Sequence, residues 1–449
     1  MKVTAIFDIG KTNKKFFLFD EHLKEVYRIY TRLDEGEDED GFPCENLQLL
    51  VEWMRTTFRD AVAHPDFEIT GLNFSTYGAS FVHLDENGQP VAPLYNYLKP
   101  FPQDLQAQFF EQYGPADLWS TQTASPLMGM LNSGLQLYWL KYKRPEIFGR
   151  ICRSLHFPQY CAYLFSGENY SDYTSLGCHT GMWDFEKKDY HAWVYQEGID
   201  SLLAPIQETT AFVEKVVDGE KIKIGIGIHD SSAALLPYIK SNADPFILIS
   251  TGTWSITLNP NSQQLLNVND LHRDCLNFLR VDGQPVRAAR LFLGNEYKIW
   301  VNRLADHFQI PYETHRSIRY DQGLISQSSE RRFHWESIQW PGMEKTLPGQ
   351  TDLTQFSSYE EAYHQLMKEL VDLQVSALEL SKGKNRVEKV YLDGGFVNNE
   401  LFISLLGQAV EEGRLITTSS PLGSALGAAM AIQEMTVEPN FLSKHFAIQ

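Results

Sequence analysis

One pattern occurs twice in this chain, and it restricts the fold more than any other feature. Val3-Thr4-Ala5-Ile6-Phe7-Asp8-Ile9-Gly10 reads as a buried strand ending in a turn, and Lys15-Phe16-Phe17-Leu18-Phe19-Asp20 as its hairpin partner. The run Phe246 to Leu258 is again strand, glycine turn and strand. The two align as Asp8-x-Gly10-x-Thr12 against Ser250-x-Gly252-x-Trp254. Similar starts near positions 1 and 245 predict two related α/β halves of about 240 and 205 residues. The boundary is expected at 238/239, giving domains 1–238 and 239–449, in the stretch Pro237 to Pro245 rich in Pro, Ser, Asn and Asp. A length of 449 residues suits two or three domains.

Charge narrows the partners. Acidic residues number 57 against 39 basic, a net charge of -18. Such a surface repels phosphate backbones and anionic lipid, so nucleic acid and membrane partners are not expected. No apolar run reaches the roughly 18 to 20 residues of a membrane span. Asp8, Lys11, Lys14 and Lys15 interrupt the opening segment, which lacks a secretory apolar core. The five cysteines, Cys44, Cys152, Cys161, Cys178 and Cys275, contain no C-x-x-C, so reduced thiols in a cytoplasmic protein are the expectation.

Between the two starts the pattern predicts a third strand at Glu25 to Tyr30 and a helix over Leu47 to Ala63. Ile69 to Ser75 reads as a strand. Phe81 to Leu84 and Pro90 to Leu94 read as strands about the turn Asp85-Glu86-Asn87-Gly88. Residues 102 to 170 read mainly as helices, and Ile222 to His229 as another strand. The acidic run Asp34 to Asp40 reads as a solvated loop. In the second half, Tyr359 to Leu380 reads as a helix and Val387 to Leu392 as a strand, followed by Asp393-Gly394-Gly395 and a helix from about Asn399.

Both glycine turns have what a nucleotide phosphate needs. A tight turn exposes backbone N–H groups, and glycine lets the backbone approach an anion. Thr12, Thr251 and Thr253 add hydroxyls, and Lys11, Lys14 and Lys15 add positive charge. Two look-alikes fail. Gly10-Lys11-Thr12 lacks the P-loop glycine five residues earlier, where Ala5 stands. His272-Arg273-Asp274 lacks the Asn of a protein-kinase catalytic loop, with Leu279 in its place. Asp230 follows an apolar strand and precedes Ser231, Ser232, Ala233 and Ala234. It reads either as a carboxylate that takes a proton from a substrate hydroxyl or as a helix N-cap. Gly394 and Gly395 read either as a close approach for a flat ligand or as a simple turn.

Taken together, Asp8-Ile9-Gly10-Lys11-Thr12-Asn13-Lys14-Lys15, Gly227-Ile228-His229-Asp230, Thr251-Gly252-Thr253-Trp254-Ser255 and Asp393-Gly394-Gly395 resemble the FGGY carbohydrate kinases in content and order. The resemblance covers nearly the whole chain, including Gly71 to Pro93 and the small-residue run Gly423 to Ala429. His229 before Asp230, with Gly252-Thr253-Trp254-Ser255, is most similar to the L-rhamnulose kinase branch. The resemblance implies two actin-like (ribonuclease H-like) α/β domains with an ATP cleft between them. It implies transfer of the ATP γ-phosphoryl group to a hydroxyl of a ketose such as L-rhamnulose or L-fuculose. A pentulose kinase acting on xylulose or ribulose is the alternative, and a non-catalytic nucleotide-binding regulator of the same superfold is a further one. Asp230 then matches the catalytic base and Asp8 the acidic residue near Mg²⁺. Gly10, Thr12 and Lys15 match the first phosphate loop, where the family more often has Arg at the Lys15 position. Thr251, Gly252 and Thr253 match the second phosphate loop, and Gly394 and Gly395 the adenosine motif. Gly78, Ser80, Tyr95 and His229 are expected on the sugar side. The cofactors implied are ATP and Mg²⁺, the partner a small sugar, and the assembly a monomer or homodimer.

The chain departs from that branch where sugar hydroxyls are read. Ser80 stands where an Asp is usual, and Tyr95-Asn96-Tyr97-Leu98-Lys99 replaces an Arg-Asp-x-Arg-like stretch. Tyr77, Tyr95 and Tyr97 offer aromatic faces and phenols instead of carboxylates. A site built around one hydroxyl pattern rejects others, because its polar groups would be left unpaired. A 6-deoxy ketose, with its methyl group against an aromatic ring, is the expected substrate type. Asp172 and Thr174 are expected to be structural.

Overall fold

A continuous apolar run sets the centre of the first sheet. Every residue of strand β1 (Lys2–Ile9) beyond Lys2 is buried, so both of its faces are covered. Strands β2 (Lys14–Asp20) and β3 (Glu25–Thr31) follow antiparallel, and β4 (Glu68–Thr76) lies parallel on the other edge of β1. With β5 (Phe212–Val217), β6 (Glu220–Gly225) and β7 (Ile228–His229) they form a seven-stranded sheet. Its order is β5-β6-β4-β1-β2-β3, with β7 also paired to β4. The computed structural model describes residues 1–217, 219–326, 333–338, 351–410, 414–419, 422–433, 441–445 and 447–448.

Helix α1 (Leu47–Val62) starts where Asn46 accepts the Leu49 N–H at 3.1 Å, a side-chain N-cap. Leu50, Met54, Phe58 and Ala61 recur at helical spacing and bury one stripe in the sheet's core. Helix α2 (Phe157–Ser166) carries Pro158 in its first turn and brings Tyr160 and Cys161 to the same core. Helix α3 (Asp230–Ser241) begins directly after β7.

The second unit repeats the opening arrangement. Strand β8 (Phe246–Thr251) pairs antiparallel with β9 (Ser255–Asn259) through a short glycine turn. The other strands are β10 (Cys275–Leu279), β11 (Pro285–Leu291), β12 (Lys389–Gly394), β13 (Arg414–Ser419) and β14 (Ala447–Ile448). They form a seven-stranded sheet in the order β10-β11-β9-β8-β12-β13-β14. Strand β12 runs parallel to β8, as β4 runs parallel to β1. Helices α4 (Leu293–Phe308), α5 (Tyr359–Lys382) and α6 (Glu400–Ala409) belong to this unit, and Ser358 caps α5 through the Glu361 N–H.

The chain packs as two units, and the division does not follow sequence order. Met1–Ser241 form most of the first, but Asn277–Pro285 and helix α7 (Gly423–Ile432) pack with it as well. Gly427 of α7 sits against the backbone of Ala233 in α3 so closely that a Cβ there would collide with the Ala233 carbonyl oxygen. That contact fixes the helix that begins at Asp230.

Three local expectations change. Strand Phe81–Leu84 pairs with Arg153–His156 rather than with Pro90–Leu94, of which only Pro90 makes a single bridge to Leu84. The partner is remote in sequence, so the turn signal at 85–88 pointed to the wrong strand. Helix α3 continues through Pro237 to Ser241, so the first part of the expected linker is helical. The acidic run is not simply solvated. Asp38 is buried, Lys99 makes ion pairs to Asp38 and Asp40, and Arg144 reaches Asp40 and Glu39. Lys99 and Arg144 draw the Asp40 carboxyl below its usual value.

Candidate functional site

In the first unit, the ends of β1, β4 and β7 place the sequence-selected residues together. Asp230 is the first residue of α3. Its Oδ1 accepts the Ser231 N–H at 2.6 Å and lies 3.4 Å from His229 Nε2. The side chain keeps 37% of its exposure, so the carboxylate is not part of the sealed core. Burial pushes its pKa up and the nearby Asp8 adds to the rise, while His229 and Ser231 oppose it. Asp230 bonds only the adjacent Ser231 N–H at the start of the helix, and its side chain remains accessible.

Asp8 lies at the end of β1, buried, with both oxygens engaged. Oδ2 takes Lys15 Nζ at 3.0 Å, and Oδ1 accepts the Ser424 hydroxyl at 2.9 Å. Ser424 lies in the first turn of α7 and carried no signal beyond the small residues around it. Gly10 and Thr12 form the turn after β1, closed by the Gly10 N–H to the Asn13 carbonyl at 3.0 Å. Thr12 is exposed, while Lys14 is buried under the turn.

On the segment expected to face the sugar, Gly78 has room only because it lacks a side chain. A Cβ there would lie 2.7 Å from His229 Cδ2. The His229 backbone N–H donates to Thr174 Oγ1 at 3.0 Å, and Asp172 in turn accepts from Thr174 and from Thr209 at 2.7 Å. Asp172 also caps the short helix that Tyr173 begins. Cys178 Sγ lies 3.2 Å from His229 Nε2, a contact that sequence reasoning did not anticipate. Ser80 is 1% exposed and its hydroxyl has no hydrogen-bond partner among the described residues; the same holds for His229 Nδ1. Tyr95 lies elsewhere in the packing. It is 1% exposed, donates its hydroxyl to Glu39 at 2.6 Å and packs edge-on against Trp139. The acidic run therefore occupies the Tyr95 phenol. Tyr97 is half-buried, and burial, then the charge of Asp230, raise its pKa.

In the second unit, the β8–β9 turn mirrors the β1–β2 turn. The Gly252 N–H closes on the Trp254 carbonyl at 2.7 Å, and Gly252 and Thr253 are exposed. Thr251 is buried and its hydroxyl is committed internally, donating to the Asp393 carbonyl at 2.6 Å and accepting the Phe396 N–H at 3.1 Å. It ties this turn to Gly394-Gly395. Gly394 has φ of 93°, and a Cβ there would meet the Thr251 carbonyl oxygen, so glycine is required twice over. Beside these turns lies a cavity of about 520 Å³ lined by Gly252, Tyr297, Arg316, Arg319, Gly395 and Asn399, among others. That volume suits a nucleoside-sized ligand. No motif marked Tyr297, Arg316 or Arg319 in the sequence, because α4 and the turn after it bring them in from outside the glycine segments.

Among the described residues no group of three His, Cys, Asp or Glu side chains forms a metal cage, and no helix is long and apolar enough to cross a membrane.

These two units and their paired turns are matched by known proteins. Residues 3–236 match the model of the FGGY family of carbohydrate kinases, N-terminal domain, and residues 243–329 that of the carbohydrate kinase FGGY, C-terminal domain. A protein named rhamnulokinase from Halalkalibacterium halodurans is 22% identical over 433 residues, covering 90% of this chain and 86% of its own. The crystal structure of a carbohydrate kinase from Novosphingobium aromaticivorans superposes with a TM-score of 0.77 at 22% identity, covering 96% of this chain and 92% of that one. Plasmodium falciparum glycerol kinase with ADP gives 0.70 at 15% identity, covering 96% and 89%. With a family model over residues 3–236, a second over 243–329 and a shared fold over 96% of the chain, the chain belongs to the FGGY family of carbohydrate kinases and is a phosphotransferase acting on a sugar.

Proposed function

We propose that this kinase transfers the γ-phosphoryl group of ATP to a hydroxyl of a ketose such as L-rhamnulose or L-fuculose. The first unit holds the sugar and the first phosphate loop, and the second holds the nucleotide. The observation that carries the reading is Asp230, an accessible carboxylate beside His229 whose pKa is raised by burial. A raised pKa makes the ionised form a better proton acceptor at neutral pH. Asp230 takes the proton of the sugar hydroxyl as that oxygen bonds to phosphorus and the bond to the β-phosphate oxygen breaks. His229 and Gly78 border the sugar and Tyr97 offers it an aromatic face, whereas the expected contact at Ser80 is closed off by its burial.

Phosphoryl transfer depends on positioning and charge neutralisation more than on covalent chemistry. Lys15 and the backbone N–H groups of the Gly10–Thr12 turn supply positive potential, as do Gly252 and Thr253 in the second unit. The cavity beside Gly395 suits adenosine, with Arg316 and Arg319 among its lining. Asp8 fits Mg²⁺ in one particular way. Both of its oxygens already accept hydrogen bonds, so it suits an ion that keeps its waters. When bound, Mg²⁺ would neutralise phosphate charge. The curated relative named rhamnulokinase supports the ketose, and a reducing, ATP-supplied cytoplasm suits five cysteines with no disulfide among them.

The test is ADP release with Mg²⁺-ATP across L-rhamnulose, L-fuculose, D-xylulose, L-xylulose, D-ribulose, L-ribulose and glycerol. A 6-deoxy ketose is expected to give the highest kcat/KM. A pentulose or glycerol standing well above it would overturn the substrate assignment.

A further inference from the structure

The first unit buries an ion pair that the proposed chemistry does not use. Lys14 and Glu45 have side chains only 2% and 3% exposed, with Nζ 2.9 Å from Oε2. A lysine ammonium has three protons to place. The other two go to the carbonyl oxygens of Gly10 at 3.1 Å and Lys11 at 3.2 Å. These are the two peptides at the heart of the first glycine turn. In a trans peptide the C=O of one residue and the N–H of the next point in opposite directions. Drawing the Gly10 and Lys11 carbonyls inward therefore turns the Lys11 and Thr12 N–H groups away from Lys14. Two adjacent N–H groups aimed the same way are what an anion needs.

The same carboxylate oxygen reaches a second segment. Glu45 Oε2 accepts the Tyr77 hydroxyl at 3.2 Å. Tyr77 is buried, its own N–H donates to the Ile9 carbonyl at 3.2 Å, and the next residue is Gly78, pressed against His229. One oxygen thus touches the side chains that fix the phosphate turn on one side and the sugar segment on the other. Stability alone does not account for this arrangement. An isolated buried ion pair gains little over an apolar pair of similar volume, because removing both charges from water costs about what their attraction returns.

We infer that Glu45 is a positioning residue that sets the nucleotide turn and the sugar segment against each other, acting through Lys14 on one and Tyr77 on the other. The inference rests on the proposed role of the Gly10–Thr12 turn in holding phosphate. It makes Lys14 a shaper of the turn rather than a ligand, in contrast to Lys15 beside it.

The experiment uses full-length Lys14→Met/Glu45→Gln, Tyr77→Phe and Lys15→Ala, with thermal unfolding, ADP affinity, and KM and kcat for ATP and sugar. The double variant removes both charges together, so no lone buried ion remains, and the amide introduced in place of the Glu45 carboxylate can still accept from Tyr77. It is expected to unfold within a few degrees of the parent while binding ADP about tenfold more weakly, with KM for ATP rising more than kcat falls. Tyr77→Phe is expected to raise the sugar KM severalfold and leave ADP affinity within twofold. Parental ADP affinity and KM in a folded double variant would overturn the inference. If the double variant does not fold, Tyr77→Phe decides, and an unchanged sugar KM overturns it. Lys15→Ala separates the two levels. If it too leaves ADP affinity unchanged, the phosphate-loop reading fails; if it weakens ADP while the double variant does not, only the role of Glu45 fails.

Discussion

Lys15 Nζ lies 3.0 Å from Asp8 Oδ2, across the directly opposed pair Asp8↔Lys15 that joins β1 to β2. The register of a hairpin thus delivers a cation and a carboxylate to one point beside Asp230. Lys15→Ala is expected to weaken ATP binding about tenfold, or about 1.4 kcal/mol. Calorimetric titration with ADP checks this, and unchanged affinity would mean that Lys15 serves only to neutralise Asp8.

Asp230→Asn is expected to lower kcat by several orders of magnitude while leaving ATP affinity largely intact, as for loss of an interaction made in the transition state. Single-turnover phosphoryl transfer to the preferred ketose is the measurement. Near-normal turnover would remove Asp230 from the mechanism.

The raised pKa of Asp230 has a pH signature with a definite sign. As the proposed base, Asp230 works only when ionised, so kcat/KM should rise with pH along a limb displaced upward from that of an ordinary aspartate. Stability runs the other way. The folded state holds this proton to higher pH than the unfolded chain, so stability falls as pH rises through the window between the two values. Asp230→Asn should therefore raise the melting temperature at neutral pH, and an unaltered or lower value would contradict the burial argument.

Two buried histidines predict acid sensitivity. Burial lowers the pKa of His83 and of His156 to about 3, so both stay neutral in the fold. The unfolded chain takes up their protons below about 6.5. Stability is complete above that value and is lost as pH falls toward 3. At pH 5 each site would cost about 2 kcal/mol by linkage. Thermal unfolding from pH 7.5 to 5 should show a steep loss that His156→Phe makes shallower; a parallel curve would argue against it.

Gly394→Ala is expected to weaken ADP binding and destabilise the second unit. Its φ of 93° is unfavourable for any side chain, and the new Cβ would press on the Thr251 carbonyl that the turn depends on. Denaturant unfolding monitored alongside ADP titration checks both effects, and a variant with parental values in each would show that the backbone relaxes freely.

Much of this was legible from periodicity. The β1–β2 hairpin, α1, β12 and the start of α3 at Asp230 follow from local apolar patterns that tertiary packing did not overrule. What failed was non-local. The turn at 85–88 exists, but the partner of strand Phe81–Leu84 arrives with His83 bonded to Ser154, 71 residues on. Ser424 reaches Asp8 across 416 residues, beyond the reach of any motif. Tyr95 looked like a sugar contact because its surroundings were unknown; Glu39 from the acidic run claims its hydroxyl. The cavity-lining Tyr297, Arg316 and Arg319 came from a helix and turn with no distinguishing composition. Thr251 was assigned to phosphate, yet its hydroxyl is committed to the backbone of the neighbouring turn.

Helix α7 has a consequence for how the protein is made. Asn73 of β4 satisfies its side-chain amide on the Ala428 carbonyl, Ser424 bonds Asp8, and Gly427 seats α3. The first unit therefore lacks a wall until residues 422–433 have been synthesised. During translation β1, β4 and α3 present an uncovered apolar surface while the second unit is being produced. A nascent chain in that interval is a client for chaperones, and the helix that begins at Asp230 takes its final seat among the last events of folding.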